Sequence, residues 1–167
     1  MAEIRHRETT ALFPASFDPI TNGHLDIAHR ALRLCDRLVL AVAVNVAKLG
    51  TFGIDERIDI IQQAVGDEPR IEVTAFEILT VDFAVEVGAD MIIRGVRAMS
   101  DFEYEFEMAL MNKHLAPDLE TIFLMPSQEY LYVSSSRLKE LVRFGRDIGE
   151  FVPPVVAKRL REKLVKG

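Results

Sequence analysis

One stretch near the N-terminus, residues 11–28, constrains the fold of this chain more than any other. Ala11 to Phe13 is apolar, and the two prolines that follow disfavour helix at the residues before them. The pair Asn22-Gly23 is typical of a turn, and apolar residues recur at helical spacing from His24 onward. The stretch therefore predicts a short buried strand, a tight turn and a helix, with His24 at or near the helix N-terminus.

Strand and helix patterns alternate along the rest of the chain. The run 38–44 is continuously apolar, as expected for a strand whose two faces are both covered. The alternation predicts an α/β fold, a doubly wound parallel sheet of the Rossmann-like type, in a single domain that spans 1–167. Strands are predicted at 10–13, 37–44, 71–75, 91–93 and 121–124. Helices are predicted at 23–34, 55–65, 81–87, 101–115, 134–144 and 154–165.

Composition narrows the class of protein and its partners. With 167 residues, 49% of them hydrophobic, the chain is long enough to bury a substantial core. Its net charge of −6 argues against a general nucleic-acid surface. Cys35 is the only cysteine, which is typical of a reducing compartment, and we expect it to be a buried, structural residue. The longest apolar run is too short to cross a bilayer and no signal peptide is visible, so we expect a cytoplasmic protein without a membrane partner.

Basic and hydroxyl side chains follow several of the predicted strands. The carboxyl ends of parallel strands meet at one edge of a sheet, so we expect these side chains to lie together. Free N–H groups at helix starts favour anions, and the arginine fork suits phosphate. The pattern predicts a phosphate-binding pocket at this edge. Its expected residues are Ser16, His24, Lys48, Arg94, Arg97, Ser134, Ser135 and Ser136.

Several common motifs are missing from the sequence. It has no P-loop, no dinucleotide fingerprint around Gly95 and no G-x-S-x-G elbow. It also lacks a Cys/His set with zinc-ligand spacing. The three other histidines, His6, His29 and His114, follow no predicted strand, and we interpret them as surface or structural residues.

Two further interpretations concern acidic and aromatic residues. We interpret Asp18 as a structural residue of the turn, without a role as general base. For the acidic-aromatic run that begins at Asp101, one structural interpretation makes Phe102 and Phe106 core anchors and places the glutamates on a solvated face. Glu103 and Glu107 are then expected on the solvated face of the same helix.

The motif Ser16-Phe17-Asp18-Pro19 followed by Thr21-x-Gly23-His24 resembles the signature of the HxGH/TxGH nucleotidyltransferase superfamily. Within that superfamily the chain is most similar to the bacterial phosphopantetheine adenylyltransferases. The resemblance covers nearly the whole chain, and its central arginine and acidic-aromatic run is more specific than the histidine motif. Its further segments are 45–48, 93–97 with 101–105, 111–114 and 132–136.

The resemblance implies transfer of AMP from ATP to 4′-phosphopantetheine, with Mg²⁺ accompanying the triphosphate and no metal ligand among the protein side chains. It also implies a homohexamer and feedback binding of coenzyme A. The implied catalytic residues are His24, Lys48 and Arg97, and the implied substrate-binding residues are Ser16, Lys48, Thr80 and Arg94. The implied ATP-binding residues are Ser16, Phe17, His24, Gly95, Val96, Arg97, Glu105, Tyr130, Leu131, Tyr132, Val133, Ser134, Ser135 and Ser136.

Three positions depart from the family pattern, and two other functions stay open. Ala15 replaces the usual glycine, Thr80 is polar where the family has an apolar residue, and Leu131 stands where serine is common. One alternative is a superfamily transferase that uses nicotinamide mononucleotide, FMN or glycerol phosphate. The other is a nucleotide-binding regulator without catalysis. The specific run from Arg94 to Glu105 argues against the first, and the retained cations and histidine argue against the second.

Overall fold

The computed structural model describes residues 7–45 and 50–165, and in them one parallel sheet has the strand order β3-β2-β1-β4-β5. The strands are β1 Thr10–Ala15, β2 Arg37–Ala43, β3 Ile71–Phe76, β4 Met91–Gly95 and β5 Glu120–Leu124. Every pairing is parallel. The predicted α/β fold with a doubly wound parallel sheet is confirmed.

Each predicted helix is present, with ends that differ from the prediction by no more than one turn. They are α1 Asn22–Ala31, α2 Ile54–Val65, α3 Thr80–Glu86, α4 Met99–Leu115, α5 Ser135–Arg143 and α6 Pro154–Leu164. A short 3₁₀ turn, Gln128–Tyr130, was not predicted. None of the helices in the described ranges is both long and apolar enough to cross a bilayer.

Alternate residues of the central strands face two separate hydrophobic cores. In β1, Phe13 points into the larger core, whereas Leu12 points into the smaller one on the opposite face. Helices α1, α2, α5 and α6 supply the larger core, and α3 supplies the smaller one. Because both faces of β2 are covered, its central residues are fully buried, which explains its continuous apolar sequence.

The order of the strands reverses at β1. This strand pairs with β2 on one side and with β4 on the other, and the chain runs outward from it through β2 to β3 before it crosses back to β4. In open α/β sheets a crevice forms outside the carboxyl ends of the strands at such a switch point. The turn after β1 and the chain after β4 therefore face each other across the position where a ligand binds.

The interpretation of Phe102 and Phe106 as core anchors is wrong. Their exposed fractions are 38% and 47%, while Glu105 and Asn112 are the buried side chains of α4. Glu103 and Glu107 are exposed, as expected. Apolar residues lie on several sides of α4, and periodicity alone could not indicate which of them stay exposed.

The interpretations of the remaining single residues have mixed outcomes. Cys35 is buried, and its thiol donates to the carbonyl oxygen of Ala31, as a structural cysteine would. His29 and His114 are exposed, in agreement with the prediction of surface residues. His6 lies outside the described residues.

Candidate active site

The turn after β1 holds its shape through aromatic packing. Phe17 has a φ of +43°, in the left-handed region that a non-glycine residue rarely adopts. Such a backbone costs on the order of 1 kcal/mol and persists only where the surroundings determine it. Here the Phe17 ring is 1% exposed and packs edge-on against the rings of Phe13 and His24, with centroids 5.5 Å and 5.2 Å away. The buried Phe17 ring thus packs against the imidazole of His24.

His24 is held by the N-cap of α1. The Thr21 side chain accepts a hydrogen bond from the backbone N–H of His24, and the Thr21 backbone N–H donates to His24 Nδ1 over 3.0 Å. A backbone amide can only donate, so Nδ1 is an acceptor and carries no proton. In the neutral ring the proton therefore lies on Nε2, which is free to act as a donor.

The electrostatic surroundings keep His24 neutral. Burial, followed by the positive charges of Arg97 and Arg94, lowers the pKa of His24 from 6.5 to about 4. At pH 7 the ring is therefore a neutral hydrogen-bond donor. The fixed positive charges beside it are those of the two arginines.

Most of the predicted site residues line one cavity of about 440 Å³ at the carboxyl edge of the sheet. This cavity, called the main cavity below, has walls from β1, α1, β4, α4 and the start of α5. The geometry brings together side chains that are more than a hundred positions apart in the sequence. The predicted residues that line it are Ser16, His24, Arg94, Gly95, Arg97, Glu105, Tyr130, Val133, Ser134, Ser135 and Ser136.

A smaller cavity of about 240 Å³ adjoins the main cavity. Thr80 lines it, as the resemblance implied for the acceptor, and Ser16, Arg94 and Glu105 contribute to both cavities. Its other walls include the apolar side chains of Ile92 and Met108. We call it the arm cavity, after the acceptor arm that the resemblance assigns to Thr80.

Arg94 and Glu105 bind each other in this structure. The Arg94 Nε and Nη2 atoms donate to the two carboxylate oxygens of Glu105 over 2.6 Å and 2.5 Å, and Nη1 donates to the Pro14 carbonyl. The resemblance had implied separate roles, with Arg94 on the acceptor and Glu105 on ATP. A guanidinium has five N–H groups, so these three contacts within the described residues leave two for a ligand.

Arg97 links two walls of the main cavity. Its Nε donates to Asp101 over 3.1 Å, one helical turn further along, and its Nη1 donates to the carbonyl oxygen of Val133 over 2.9 Å. The arginine thus joins the start of α4 to the segment that leads into α5. Because Asp101 and Glu105 pair with the two arginines, the positive charge of the cavity is partly compensated.

Gly23 lets the segment around Tyr130 lie close to the start of α1. A Cβ atom at position 23 would lie 3.2 Å from the Tyr130 Cβ, which is tighter than ordinary packing. The glycine of the T-x-G-H motif therefore serves a close approach between two walls of the main cavity. It does not need an unusual backbone angle, because it lies within α1.

Some predicted residues do not line the two cavities. Phe17 and Val96 are buried beside the main cavity, Leu131 lies outside it, and Tyr132 packs on Phe151 with ring centroids 5.8 Å apart. Lys48 lies outside the described residues. The proposed contacts of these residues with ligand remain predictions.

Sequence reasoning missed several side chains near the site. Tyr104 and Asp101 line the main cavity, and the position of Asp101 four residues after Arg97 was a visible signal for pairing. Arg57 and Lys139 approach Asp18 from distant parts of the chain, and no local pattern could indicate that. Within the described residues, no group of three or more His, Cys, Asp or Glu side chains is arranged to hold a metal ion.

The chain is similar to several known proteins. Residues 12–141 match the family model described as cytidylyltransferase-like. Over 155 residues the chain is 48% identical to the phosphopantetheine adenylyltransferase of Thiobacillus denitrificans, which covers 93% of this chain and 97% of that protein. The enzyme of the same name from Caldanaerobacter subterraneus is 51% identical over 156 residues, with 93% and 98% covered. The chain belongs to the phosphopantetheine adenylyltransferase family.

The fold has a counterpart among solved structures. A crystal structure described as a nicotinate-nucleotide adenylyltransferase from Vibrio parahaemolyticus superposes with a TM-score of 0.71 over 95% of this chain and 98% of that one. At 16% identity this likeness concerns the fold alone. The family match and the named relatives make the chain a nucleotidyltransferase, and the residues that line both cavities lie within the range 12–141 that matches the family model.

Proposed function

We propose that this enzyme transfers AMP from ATP to 4′-phosphopantetheine, giving dephospho-coenzyme A and pyrophosphate. The observation that carries the proposal is the convergence of His24, Arg94 and Arg97 on the main cavity, with the arm cavity next to Arg94. A nucleotide fits the larger space, and an acceptor with a phosphate at one end of a flexible arm fits the smaller one. The names of the two relatives support this choice of substrates.

In the proposed complex the acceptor phosphate lies where the two cavities meet. Ser16 and Arg94 line both cavities, so they are placed to hold this group, and Lys48 is proposed as a third contact. Two N–H groups of Arg94 can serve the phosphate while Glu105 holds the guanidinium in place. A phosphate dianion is already a nucleophile near pH 7, so the reaction requires no general base.

His24 and Arg97 are proposed to stabilise the transition state. The acceptor oxygen attacks the α-phosphorus in line, and negative charge grows on the α-phosphoryl oxygens and on the departing pyrophosphate. The Nε2–H of His24 donates to this charge, and Arg97 neutralises part of it. Donors that are already oriented before the reaction need no reorganisation, which is the source of their catalytic effect.

The start of α5 is proposed to hold the triphosphate. Ser134 caps this helix, and Ser134, Ser135 and Ser136 line the main cavity at the end where backbone N–H groups are exposed. The hydrogen-bond donors that line the cavity are arginine, histidine and hydroxyl groups, and its carboxylates Asp101 and Glu105 already pair with the two arginines. Such a lining suits phosphate oxygens better than a metal ion. Mg²⁺ is therefore proposed to arrive on the triphosphate, where it supplies additional positive charge, without protein side chains as ligands.

Pyrophosphate release tests the proposed reaction directly. The purified enzyme, with Mg²⁺, is supplied with ATP or CTP and with one of four acceptors: 4′-phosphopantetheine, nicotinamide mononucleotide, FMN or glycerol phosphate. We expect turnover only with ATP and 4′-phosphopantetheine, and mass spectrometry should identify the product as dephospho-coenzyme A. Turnover with another acceptor would replace the proposed substrate, and ATP binding without turnover in any mixture would indicate a regulator.

The exposed side of α4 supports the proposed homohexamer. Large apolar side chains project from it, including Met99, which is 82% exposed, and Leu110, which is 57% exposed. Exposed apolar patches of this kind mark protein–protein contacts. A second copy of the chain is the proposed partner, and the size of the assembly is proposed from the family resemblance.

Coenzyme A is proposed to bind the same two cavities as a feedback ligand. It contains both the phosphopantetheine arm and the adenylyl group of the reaction product, so one molecule can occupy both spaces. Inhibition by coenzyme A that added 4′-phosphopantetheine relieves would support this proposal. We also propose a cytoplasmic location, because the single cysteine is typical of a reducing compartment.

A further inference from the structure

Asp18 lies at the centre of a buried polar cluster behind the active site. Its carboxylate accepts hydrogen bonds from the backbone N–H groups of Thr51 and Phe52, each over 2.9 Å. Lys139 of α5 donates to it over 3.0 Å, and Arg57 of α2 lies 3.6 Å away. Asp18 and Arg57 are 8% and 7% exposed, so the cluster is almost closed to solvent.

The cluster connects residues 51–52 and helix α5 to the turn after β1. Arg57 donates to the carbonyl oxygens of Ser16, over 3.1 Å, and of Phe52, over 2.9 Å. On the other side, the Ser135 hydroxyl donates to the Pro19 carbonyl over 2.8 Å, beside the Lys139 contact. The turn that carries Ser16 is thus tied to residues 51–52 by one set of bonds and to the start of α5 by the other.

Asp18 does not take part in the chemistry through direct contact. Of the residues that the structure describes, it is not among those lining the main cavity or the arm cavity. Burial favours its neutral form, but the N–H groups of Thr51 and Phe52 and the charge of Lys139 outweigh this and lower the pKa of Asp18 below its usual value. The carboxylate therefore stays ionised at neutral pH and cannot serve as a general acid.

We infer that Asp18 is a positioning residue that holds residues 51–52 and the start of α5 against the turn carrying Ser16. This inference depends on the proposed function for the ligands that the start of α5 and the Ser16 turn would bind. Through Lys139, Asp18 orients the start of α5, where ATP is proposed to bind. Through its hydrogen bonds to residues 51–52 and its contact with Arg57, Asp18 orients the Ser16 turn, where the acceptor phosphate is proposed to lie.

The two sets of bonds can be broken separately. Lys139→Met removes the ion pair between Asp18 and α5 and keeps most of the side-chain volume, while the Ser135–Pro19 hydrogen bond remains. Arg57→Met removes the bonds to Ser16 and Phe52. Asp18→Asn disturbs both sets, because an amide nitrogen replaces one of the accepting oxygens. Arg159→Met is the matched control, because it removes an arginine ion pair to Asp59 of α2 that lies away from both cavities.

The test compares the Michaelis constants of both substrates in these four variants, well below the melting temperature of each. We expect Lys139→Met to raise the KM for ATP about five- to tenfold and to leave the KM for 4′-phosphopantetheine within about twofold. Arg57→Met should show the reverse pattern, and Asp18→Asn should raise both constants. A tenfold change corresponds to about 1.4 kcal/mol, which is reasonable for one charge-assisted contact.

Two results would overturn the inference. In one, the activity of every variant falls only in proportion to the fraction of folded protein, as expected for the control Arg159→Met, and both Michaelis constants stay unchanged. In the other, Asp18→Asn lowers kcat more than a hundredfold at unchanged KM, which would place Asp18 in the chemistry itself. If Asp18→Asn does not fold, the two single-contact variants still decide the question.

A failure of the proposed function can be recognised separately. If the wild-type enzyme does not use 4′-phosphopantetheine, the substrate assignment fails whatever the variants do. Calorimetric titration of ATP into Lys139→Met and Arg159→Met then still tests the α5 contact. Equal ATP affinity in both variants would contradict the positioning role.

Discussion

At the scale of single residues, His24 derives its role from one hydrogen bond and its surroundings. The Thr21 backbone N–H occupies Nδ1, and burial with two arginines keeps the ring neutral, so Nε2–H is the donor. A donor that acts on growing charge contributes mainly to the transition state. Its effect should therefore appear in kcat more than in either Michaelis constant.

His24→Ala should lower kcat about a hundredfold or more, with the KM for ATP changed by no more than several-fold. Loss of one preorganised donor typically costs about 10²–10³-fold in rate. His29→Ala is the matched control, because His29 lies exposed on the same helix. Steady-state kinetics and melting temperature are measured on the same preparations. A destabilised variant with full turnover per folded molecule would remove His24 from the mechanism.

The depressed pKa of His24 also predicts how stability changes with pH. Between about pH 4 and 6.5 the unfolded chain binds a proton at this histidine and the folded chain does not. The stabilising contribution is therefore fully present above 6.5 and is lost as the pH falls toward 4. The difference between the two pKa values corresponds to up to about 3 kcal/mol.

Urea unfolding of the wild type and of His24→Ala at several pH values measures this contribution. The free energy of unfolding of the wild type should fall relative to the variant as the pH is lowered from 7 to 4. Subtracting the variant removes the titration of all other groups that the two proteins share. Parallel pH curves would show that the folded histidine titrates near its ordinary value.

At the scale of elements, the start of α1 combines a helix cap with the catalytic geometry. The Thr21 hydroxyl accepts from the His24 backbone N–H and lies 3.0 Å from Nδ1. Removing this oxygen removes the helix-capping hydrogen bond, but the Thr21 backbone N–H can still donate to Nδ1 of the His24 ring. Stability and catalysis should therefore respond differently to a change at position 21.

Thr21→Ala should lower the free energy of unfolding by about 1 kcal/mol, the usual cost of an N-cap. Turnover should fall only a few-fold, well short of the effect of His24→Ala, because the remaining bond to Nδ1 keeps the ring oriented. Chemical denaturation and steady-state turnover report the two quantities. Thr21→Ser keeps the hydroxyl and should match the wild type in both, and a hundredfold loss of kcat in Thr21→Ala would show that the hydroxyl itself orients the ring.

At the scale of the whole molecule, α4 faces two different environments. Glu105 and Asn112 point inward, and Glu105 holds Arg94, while the apolar residues of the same helix remain exposed in the single chain. This arrangement is the opposite of an ordinary surface helix, where the polar face meets solvent. An assembly that covers the outer face would account for both sides of the helix.

Leu110→Glu should dissociate the proposed assembly, because it places a charge in an apolar contact. Light scattering coupled to size-exclusion chromatography should show an oligomer for the wild type and a smaller species for the variant. Lys158→Glu is the control, since this exposed residue of α6 lies on a different surface. A monomeric wild type would contradict the proposed assembly. An unchanged mass for Leu110→Glu would show that the contact between copies does not involve Leu110.

The sequence by itself determined the strand and helix order and much of the candidate site. Local periodicity records which neighbouring residues share a face, so each element could be located to within about one turn. Parallel strands place their carboxyl ends at one edge, and this topology brings Ser16, His24, Arg94 and Arg97 together. These predictions depend on short-range patterns and on one general rule of sheet geometry.

Only the tertiary structure decided which side chains pair and which apolar residues find a partner. Lys139 reaches Asp18 across 121 positions, and the partner of Arg94 is a glutamate that the sequence had assigned to ATP. Phe102 is an apolar residue of the kind that usually lies in a core, but its side chain remains 38% exposed. Such outcomes depend on distances between distant elements after packing, and those distances leave no periodic trace in the local sequence.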